Sequence, residues 1–155
     1  MELSDSLKKA NIIIKSKSKD RWECIGEMVD CAVRNRDIES ADSKEIKKAL
    51  IDREKSMSTG IGNGVAIPHC TSSRVDEIVF VVSLSAFGID FDSIDGEPVR
   101  IIILLIVPKN KLTQHIKTLA SIAKLMSNES LRERLLTLKT PEAVIKTLKD
   151  FEVAK

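Results

Sequence analysis

The sequence predicts an α/β protein, a single domain in which a mixed β-sheet is flanked by helices on both faces. Two segments rich in Val and Ile, Ile78–Leu84 and Val99–Val107, have strand length and near-continuous apolarity, broken only by Ser83 and Arg100, as strands buried on both faces do. Helical periodicity brackets them on either side. The 155 residues are 43% hydrophobic and 31% charged, enough for one core and a solvated surface.

Taken in order, Ser6–Lys9 closes a short N-terminal helix, and Asn11–Ile14 is a short apolar run suited to an edge strand. Asp20 offers an N-cap, with Glu23 three residues on as in a capping box. Trp22, Ile25, Met28, Val29, Ala32 and Val33 then follow at helical spacing. Ser43 caps a second helix that carries Ile46, Ala49, Leu50 and Arg53. Between the two apolar strands, Phe87–Pro98 reads as a loop whose Asp95-Gly96 pair marks a turn. After Pro108 the helical period returns: Ile116, Leu119, Ala120, Ala123 and Met126 share a face. A shorter helix covers Ser130–Leu138, and Thr140-Pro141 opens the last one, Glu142–Lys149.

Composition narrows the function classes. Twenty-five basic against 23 acidic residues leave a net charge of +2, which gives no general electrostatic case for nucleic-acid or membrane-surface binding. The cluster Lys15, Lys17, Lys19 and Arg21 is interleaved with serines and acids and reads as a solvated face. No apolar run approaches the roughly 20 residues of a membrane-spanning helix. The start, Met1–Asp5, lacks the basic and apolar regions of a signal peptide. Three scattered cysteines fit a reduced, cytoplasmic protein. Cys24 and Cys31 read as core residues of one helix, and neither metal-ligand spacing nor a cysteine–histidine nucleophile pair is present.

The chemistry concentrates in Arg53–His69. Glycines alternate at Gly60, Gly62 and Gly64, next to the hydroxyls of Ser58 and Thr59. Such a stretch exposes backbone N–H groups and admits an anion closely. Val65-Ala66-Ile67 is a short strand, and Pro68, lacking an N–H, fits its end and presents His69 beyond it. No Gly-Lys-Ser/Thr follows the glycines and no helix opens on them, so neither a Walker loop nor a dinucleotide fingerprint is present. On these residues alone, a tight hairpin with a structurally satisfied histidine competes with an anion site.

The run Ser58–His69, the preceding Arg53-Glu54, the block Phe91–Val99, the pair Val107-Pro108 and His115 at a helix start occur together in order. This set resembles the fructose/mannitol/nitrogen-regulatory (type 2) enzyme IIA family of the bacterial phosphotransferase system, along nearly the whole chain. The resemblance implies one domain spanning residues 1–155, with no cofactor and no metal. It implies that His69 accepts a phosphoryl group from an HPr-type phosphocarrier protein. The group then passes to a cysteine of a IIB component or stays as a regulatory mark read by a target protein. His115 matches the family's second histidine and is expected to stabilise the phosphoryl group. Arg53 is expected to supply countercharge, Ser58 and Thr59 to donate hydroxyl hydrogen bonds to phosphate, and Gly60, Gly62 and Gly64 to set the loop's shape. Cys70 departs from the family, where a small residue such as glycine is common.

These residue types suit phosphoryl transfer. The reaction needs positioning and charge stabilisation more than covalent help, and an unperturbed histidine is mostly neutral at pH 7. Two functions share this chemistry: a relay in sugar uptake, and a protein-binding module whose partner choice depends on phosphorylation of His69. With the chain filled by one domain, no fused IIB, IIC or DNA-binding domain is expected, and the regulatory branch is favoured. A shallow cleft is expected around His69, rimmed by Ile61 with Phe87 or Phe91.

Overall fold

The computed structural model describes residues 3–153. Its sheet is built on two long strands, β5 (Val79–Ile89) and β6 (Val99–Pro108), which pair antiparallel. β1 (Ile12–Ser16) pairs parallel with β5 at one edge. On the other side of β6 lie β3 (Val65–Ala66) and β4 (His69–Ser72), both parallel to it, and β2 (Gly60–Gly62) completes that edge antiparallel to β3. The order is β1-β5-β6-β3-β2, with β4 pairing β6 beyond β3. The sheet is therefore mixed.

From Ile101 on, β6 is apolar because it is buried on both faces, Arg100 near its start being exposed, and its alternation decides which helices it meets. Ile102, Leu104 and Ile106 point to the side of α2 (Arg21–Arg34) and α3 (Ser43–Ser56), packing with Ile25, Met28, Ile46 and Leu50. Ile101, Ile103, Leu105 and Val107 point the other way. There they meet Ile122 and Met126 of α4 (Leu112–Met126), Leu131 of α5 (Glu129–Leu135) and Leu148 of α6 (Pro141–Val153). The short α1 (Leu3–Ser6) packs on this second side through Leu3. Truncating one of these side chains to Ala in such a core costs about 2–5 kcal/mol.

The helix starts carry their own signals. Asp20 caps α2 by accepting from Glu23 N–H at 2.8 Å, Asn128 caps α5 by accepting from Leu131 N–H at 3.2 Å, and Thr140 Oγ1 accepts from Ala143 N–H at 3.2 Å before α6. Caps of this kind contribute about 1 kcal/mol each. Three expectations need correction. Ser43 is the first residue of α3, which follows a 3₁₀ turn at Ser40–Asp42 and has no side-chain cap. The N-terminal helix sits at Leu3–Ser6, with a 3₁₀ turn at Lys9–Asn11 after it. Phe87–Ile89 belongs to β5 rather than to a loop: Gly88 takes a φ of +87°, the register with β6 shifts, and the strand rejoins it at Ile89–Val99. A glycine inside a strand at such a shift is the usual mark of a bulge.

The glycine-rich segment folds as a hairpin. Gly62 pairs with Val65 across the two-residue turn Asn63-Gly64, whose φ values are +58° and +77°. Two successive positive φ angles define the turn type that suits the strands' twist, and Asn-Gly is its preferred pair. β3 and β4 then run on one line along β6: Ala66 is level with Ile102 and His69 with Leu105. Ile67-Pro68 interrupts the assigned strand without shifting its register, and Pro68 keeps the line by accepting from Leu105 N–H at 3.0 Å. No helix among the described residues is long and apolar enough to cross a membrane.

Candidate functional site

His69 begins β4, level with Leu105. Strand alternation turns it toward the side where Ile67 packs, which is the side of α4, while its neighbour Cys70 enters the core beneath α2 and α3. α4 brings His115 to it from its first turn. The two rings meet edge to face, with centroids 5.2 Å apart and planes at 74°.

The ring of His69 has a defined tautomer. Its Nδ1 lies 2.8 Å from the carbonyl oxygen of Ile67. A carbonyl can only accept, so Nδ1 carries the proton and Nε2 keeps its lone pair. Burial pushes the pKa of His69 below its ordinary value, the Ile67 bond opposes this, and the positive charge of Arg53 adds to the lowering. His115 is lowered for the same first reason, with His69 and Arg53 contributing. Both rings are thereby held neutral at pH 7. The Nε2 atom of His115 is buried without a hydrogen-bond partner among the described residues.

Arg53 sits in the last turn of α3 and donates from Nη1 to the carbonyl of Met57 at 2.7 Å. Among the described residues it makes no ion pair, so its charge stays available to an anion near the histidines. The combination is a neutral nitrogen lone pair, a second imidazole beside it with an unused nitrogen, and an uncompensated guanidinium. Chemically this can accept a phosphoryl group and neutralise part of its charge.

The hydroxyls behave differently from expectation. Thr59 is buried, and its hydroxyl donates to Glu54 Oε1 at 2.6 Å while its N–H donates to Glu54 Oε2 at 2.8 Å. Ser58 donates its hydroxyl to the carbonyl of Phe91 and accepts from Gly60 N–H at 3.0 Å. Both protons are committed to protein acceptors inside the loop, so Ser58 and Thr59 build the site's wall and do not offer free donors to phosphate. The glycines have distinct reasons. A Cβ at Gly60 would lie 3.0 Å from Cα and Cβ of Ser93, whereas Gly62 has a φ of +94° that disfavours any side chain.

Exposed apolar side chains occur on the segments that carry the site. Met57, Ile61, Leu112 and Ile116 are exposed, and Leu112 and Ile116 flank His115 on α4. Phe91 is fully buried, so it forms no rim. Phe87 is 80% exposed but lies seven residues along β5 from Phe80, the residue level with Leu105 and His69, which places it toward the far end of the sheet.

Sequence reasoning named Glu54 only as half of the Arg53-Glu54 pair and Arg21 only within a solvated cluster, and missed that the two meet, Arg21 being partly buried. Glu54 is 1% exposed, and Arg21 reaches it from α2 at 3.6 Å while also donating to Phe91 O at 3.3 Å. One signal was available: an acid in the last turns of a helix opposes the helix dipole, so its presence there asks for a tertiary partner.

Comparison with known proteins adds the following. The family model described as "Phosphoenolpyruvate-dependent sugar phosphotransferase system, EIIA 2" matches residues 5–151. The nitrogen regulatory protein of Pseudomonas aeruginosa is 35% identical over 117 residues, 76% of each chain. The fructose-specific EIIABC component of Bacillus subtilis is 30% identical over 145 residues, 94% of this chain but 22% of that longer protein. Among solved structures, the nitrogen regulatory protein IIA-Ntr of Neisseria meningitidis superposes with a TM-score of 0.85 at 30% identity, covering 94% of this chain and 98% of that one. Enzyme IIA mannitol of Escherichia coli, solved in complex with phosphorylated IIB mannitol, superposes with a TM-score of 0.79 at 25% identity, covering 93% and 97%.

Proposed function

Because the chain belongs to the EIIA 2 family of the phosphoenolpyruvate-dependent sugar phosphotransferase system, we propose that it is a phosphohistidine carrier whose acceptor is Nε2 of His69. The observation that carries this reading is the Nδ1–H bond to Ile67, which leaves Nε2 as a lone pair beside His115 and Arg53. The donor is an HPr-type phosphocarrier protein, itself phosphorylated on histidine. The Nε2 lone pair of His69 forms the new N–P bond as the donor's N–P bond breaks, and the donor's ring leaves with the electron pair. No proton has to move at His69, since the attacking nitrogen carries none. The phosphorylated ring is cationic, and the Ile67 carbonyl already holds its Nδ1–H.

His115 and Arg53 receive the charge of the arriving group, roughly −1.5 to −2 at neutral pH. The vacant Nε2 of His115, protonated once that charge is near, donates to a phosphoryl oxygen, and Arg53 pairs with another. Onward transfer goes to a cysteine of a IIB component: the thiolate attacks phosphorus, the N–P bond breaks, and His69 recovers its lone pair. The exposed apolar residues Met57, Ile61, Leu112 and Ile116 give donor and acceptor proteins a surface to dock against. The domain spans residues 1–155 and works in the cytoplasm, where its donor is phosphorylated.

A regulatory variant of this reading is favoured by the likeness to two nitrogen regulatory proteins. In it the phosphoryl group stays on His69 and changes which protein the apolar surface accepts. The test of the shared step is transfer of radiolabel from phosphorylated HPr-type carrier. Labelling of the parent, with none on His69→Ala, is expected, and equal labelling of the alanine variant refutes the assignment. Calorimetry of phosphorylated against unmodified protein then separates relay from switch.

A further inference from the structure

Glu54 has a fully buried carboxylate at a place where the helix dipole opposes it. Such a group persists only when its oxygens are well partnered. Both oxygens here are taken by one residue, Thr59, through its N–H at 2.8 Å and its hydroxyl at 2.6 Å. The bonding continues from there. The carbonyl of Thr59 accepts from Ile67 N–H at 3.0 Å. The carbonyl of Ile67 accepts Nδ1–H of His69 at 2.8 Å. Three consecutive contacts thus link the buried carboxylate to the ring that carries the chemistry.

We propose that Glu54 is a positioning residue that sets the tautomer of His69, by clamping Thr59 and thereby fixing the Ile67 carbonyl that holds Nδ1–H. The reason lies in geometry. A hydrogen bond weakens steeply with misalignment, so a displacement of about 1 Å at Ile67 releases Nδ1. A released neutral ring can move its proton to Nε2, and the acceptor lone pair is then gone. Arg53, the preceding residue, secures the same loop at Met57. Adjacent side chains at the end of α3 therefore hold it at two points, Arg53 in reach of the phosphoryl group and Glu54 beneath it. Arg21 approaches Glu54 and bonds Phe91, tying the start of α2 and the loop before β6 into the same clamp.

The consequence for transfer rests on the phosphocarrier reading, but the tautomer does not, so the two fail separately. The experiment measures the ring-nitrogen NMR shifts of His69 in the unmodified full chain, at a pH where the ring is neutral. It compares the parent with Glu54→Ala, Glu54→Asp and Glu54→Gln. Aspartate keeps the charge but is one methylene short of Thr59. Glutamine drops the charge but can accept Thr59 N–H through Oε1 and donate to the threonine hydroxyl. The Nδ1–H form is expected to dominate in the parent and in Glu54→Gln. The Nε2–H form is expected to appear in Glu54→Ala and Glu54→Asp, with phosphoryl acceptance slowed about tenfold or more at an unchanged KM for the carrier. If the alanine variant does not fold, the aspartate and glutamine pair decides. Parental ring shifts in Glu54→Asp overturn the proposal, as does a glutamine variant that loses the tautomer like aspartate.

Discussion

Replacing Thr59 by Val separates a structural hydroxyl from a phosphate-binding one. Valine keeps the volume and the backbone N–H but removes the hydroxyl. In the structure that hydroxyl donates to Glu54 Oε1 at 2.6 Å in a buried setting. Glu54 then retains Thr59 N–H on Oε2, and Oε1 loses its partner. A hydrogen bond to a buried charged acceptor contributes about 1.5–3 kcal/mol. The expected loss is therefore about 2 kcal/mol, or a melting temperature lowered by about 4–8 °C for a chain of this size. Urea denaturation should show a lower midpoint at an unchanged slope. Phosphoryl acceptance by the folded variant should stay within about threefold of the parent, because Thr59 N–H still bonds Glu54 and the Ile67 carbonyl still holds the His69 ring. A variant as stable as the parent but slow to accept phosphoryl would refute the reasoning and return the hydroxyl to the phosphate.

Two glycines should respond to alanine with opposite signs. Gly60→Ala forces a Cβ to within 3.0 Å of Ser93 and should destabilise by about 1–3 kcal/mol, whereas Gly26→Ala, in α2 with nothing within 4 Å, should stabilise by about 1 kcal/mol; urea midpoints check both. Both histidines have depressed folded-state pKa values, so the unfolded chain binds more protons as pH falls below about 6.5; their stabilising share is complete above that pH and lost as pH falls through the depressed values. A His69→Gln, His115→Gln double variant should show a smaller drop in urea midpoint between pH 7 and pH 5 than the parent. Burial pushes the Cys70 thiol up to about 12, so iodoacetamide at pH 8 should modify it about a thousandfold more slowly than a free cysteine, as followed by mass spectrometry of the native protein.

The elements that carry strong local signals were legible in the sequence. Val99–Val107 is apolar at every position but Arg100, and that pattern belongs to a central strand. Asp20 with Glu23, and Thr140 with Pro141, mark helix starts by side-chain chemistry that needs no tertiary context. The extension of β5 to Ile89 was not legible, because Gly88 reads as a breaker until its bulge is seen against β6. Phe91 illustrates the same limit: on a loop beside a glycine-rich segment it reads as rim, yet it is a core residue under α2 and α3.

At the site, the placement of His69 beyond Pro68 at a strand end could be read from residue type, but the residues alone left a structural histidine in competition, and its role came from the family resemblance. The partner that sets its tautomer is a backbone carbonyl two residues back, and no side-chain pattern announces it. Ser58 and Thr59 looked like phosphate donors because a hydroxyl beside glycines suits an anion. Which acceptor a hydroxyl chooses depends on what lies within 3 Å in the fold, and there a buried carboxylate from α3 and the Phe91 carbonyl win. Glu54 was visible as half of an Arg-Glu pair, but its contacts with Thr59 and Arg21 arise only when α2, α3 and the hairpin come together.

The central claim is that Nε2 of His69 is the atom that takes the phosphoryl group. It is tested most directly by phosphorylating the nitrogen-labelled protein with HPr-type carrier and recording phosphorus–nitrogen couplings in the histidine rings by NMR. Coupling of phosphorus to Nε2 of His69, with Nδ1 still protonated and the pKa of His115 raised by the new charge, is the predicted result. Coupling to Nδ1 of His69, or to either nitrogen of His115, contradicts it.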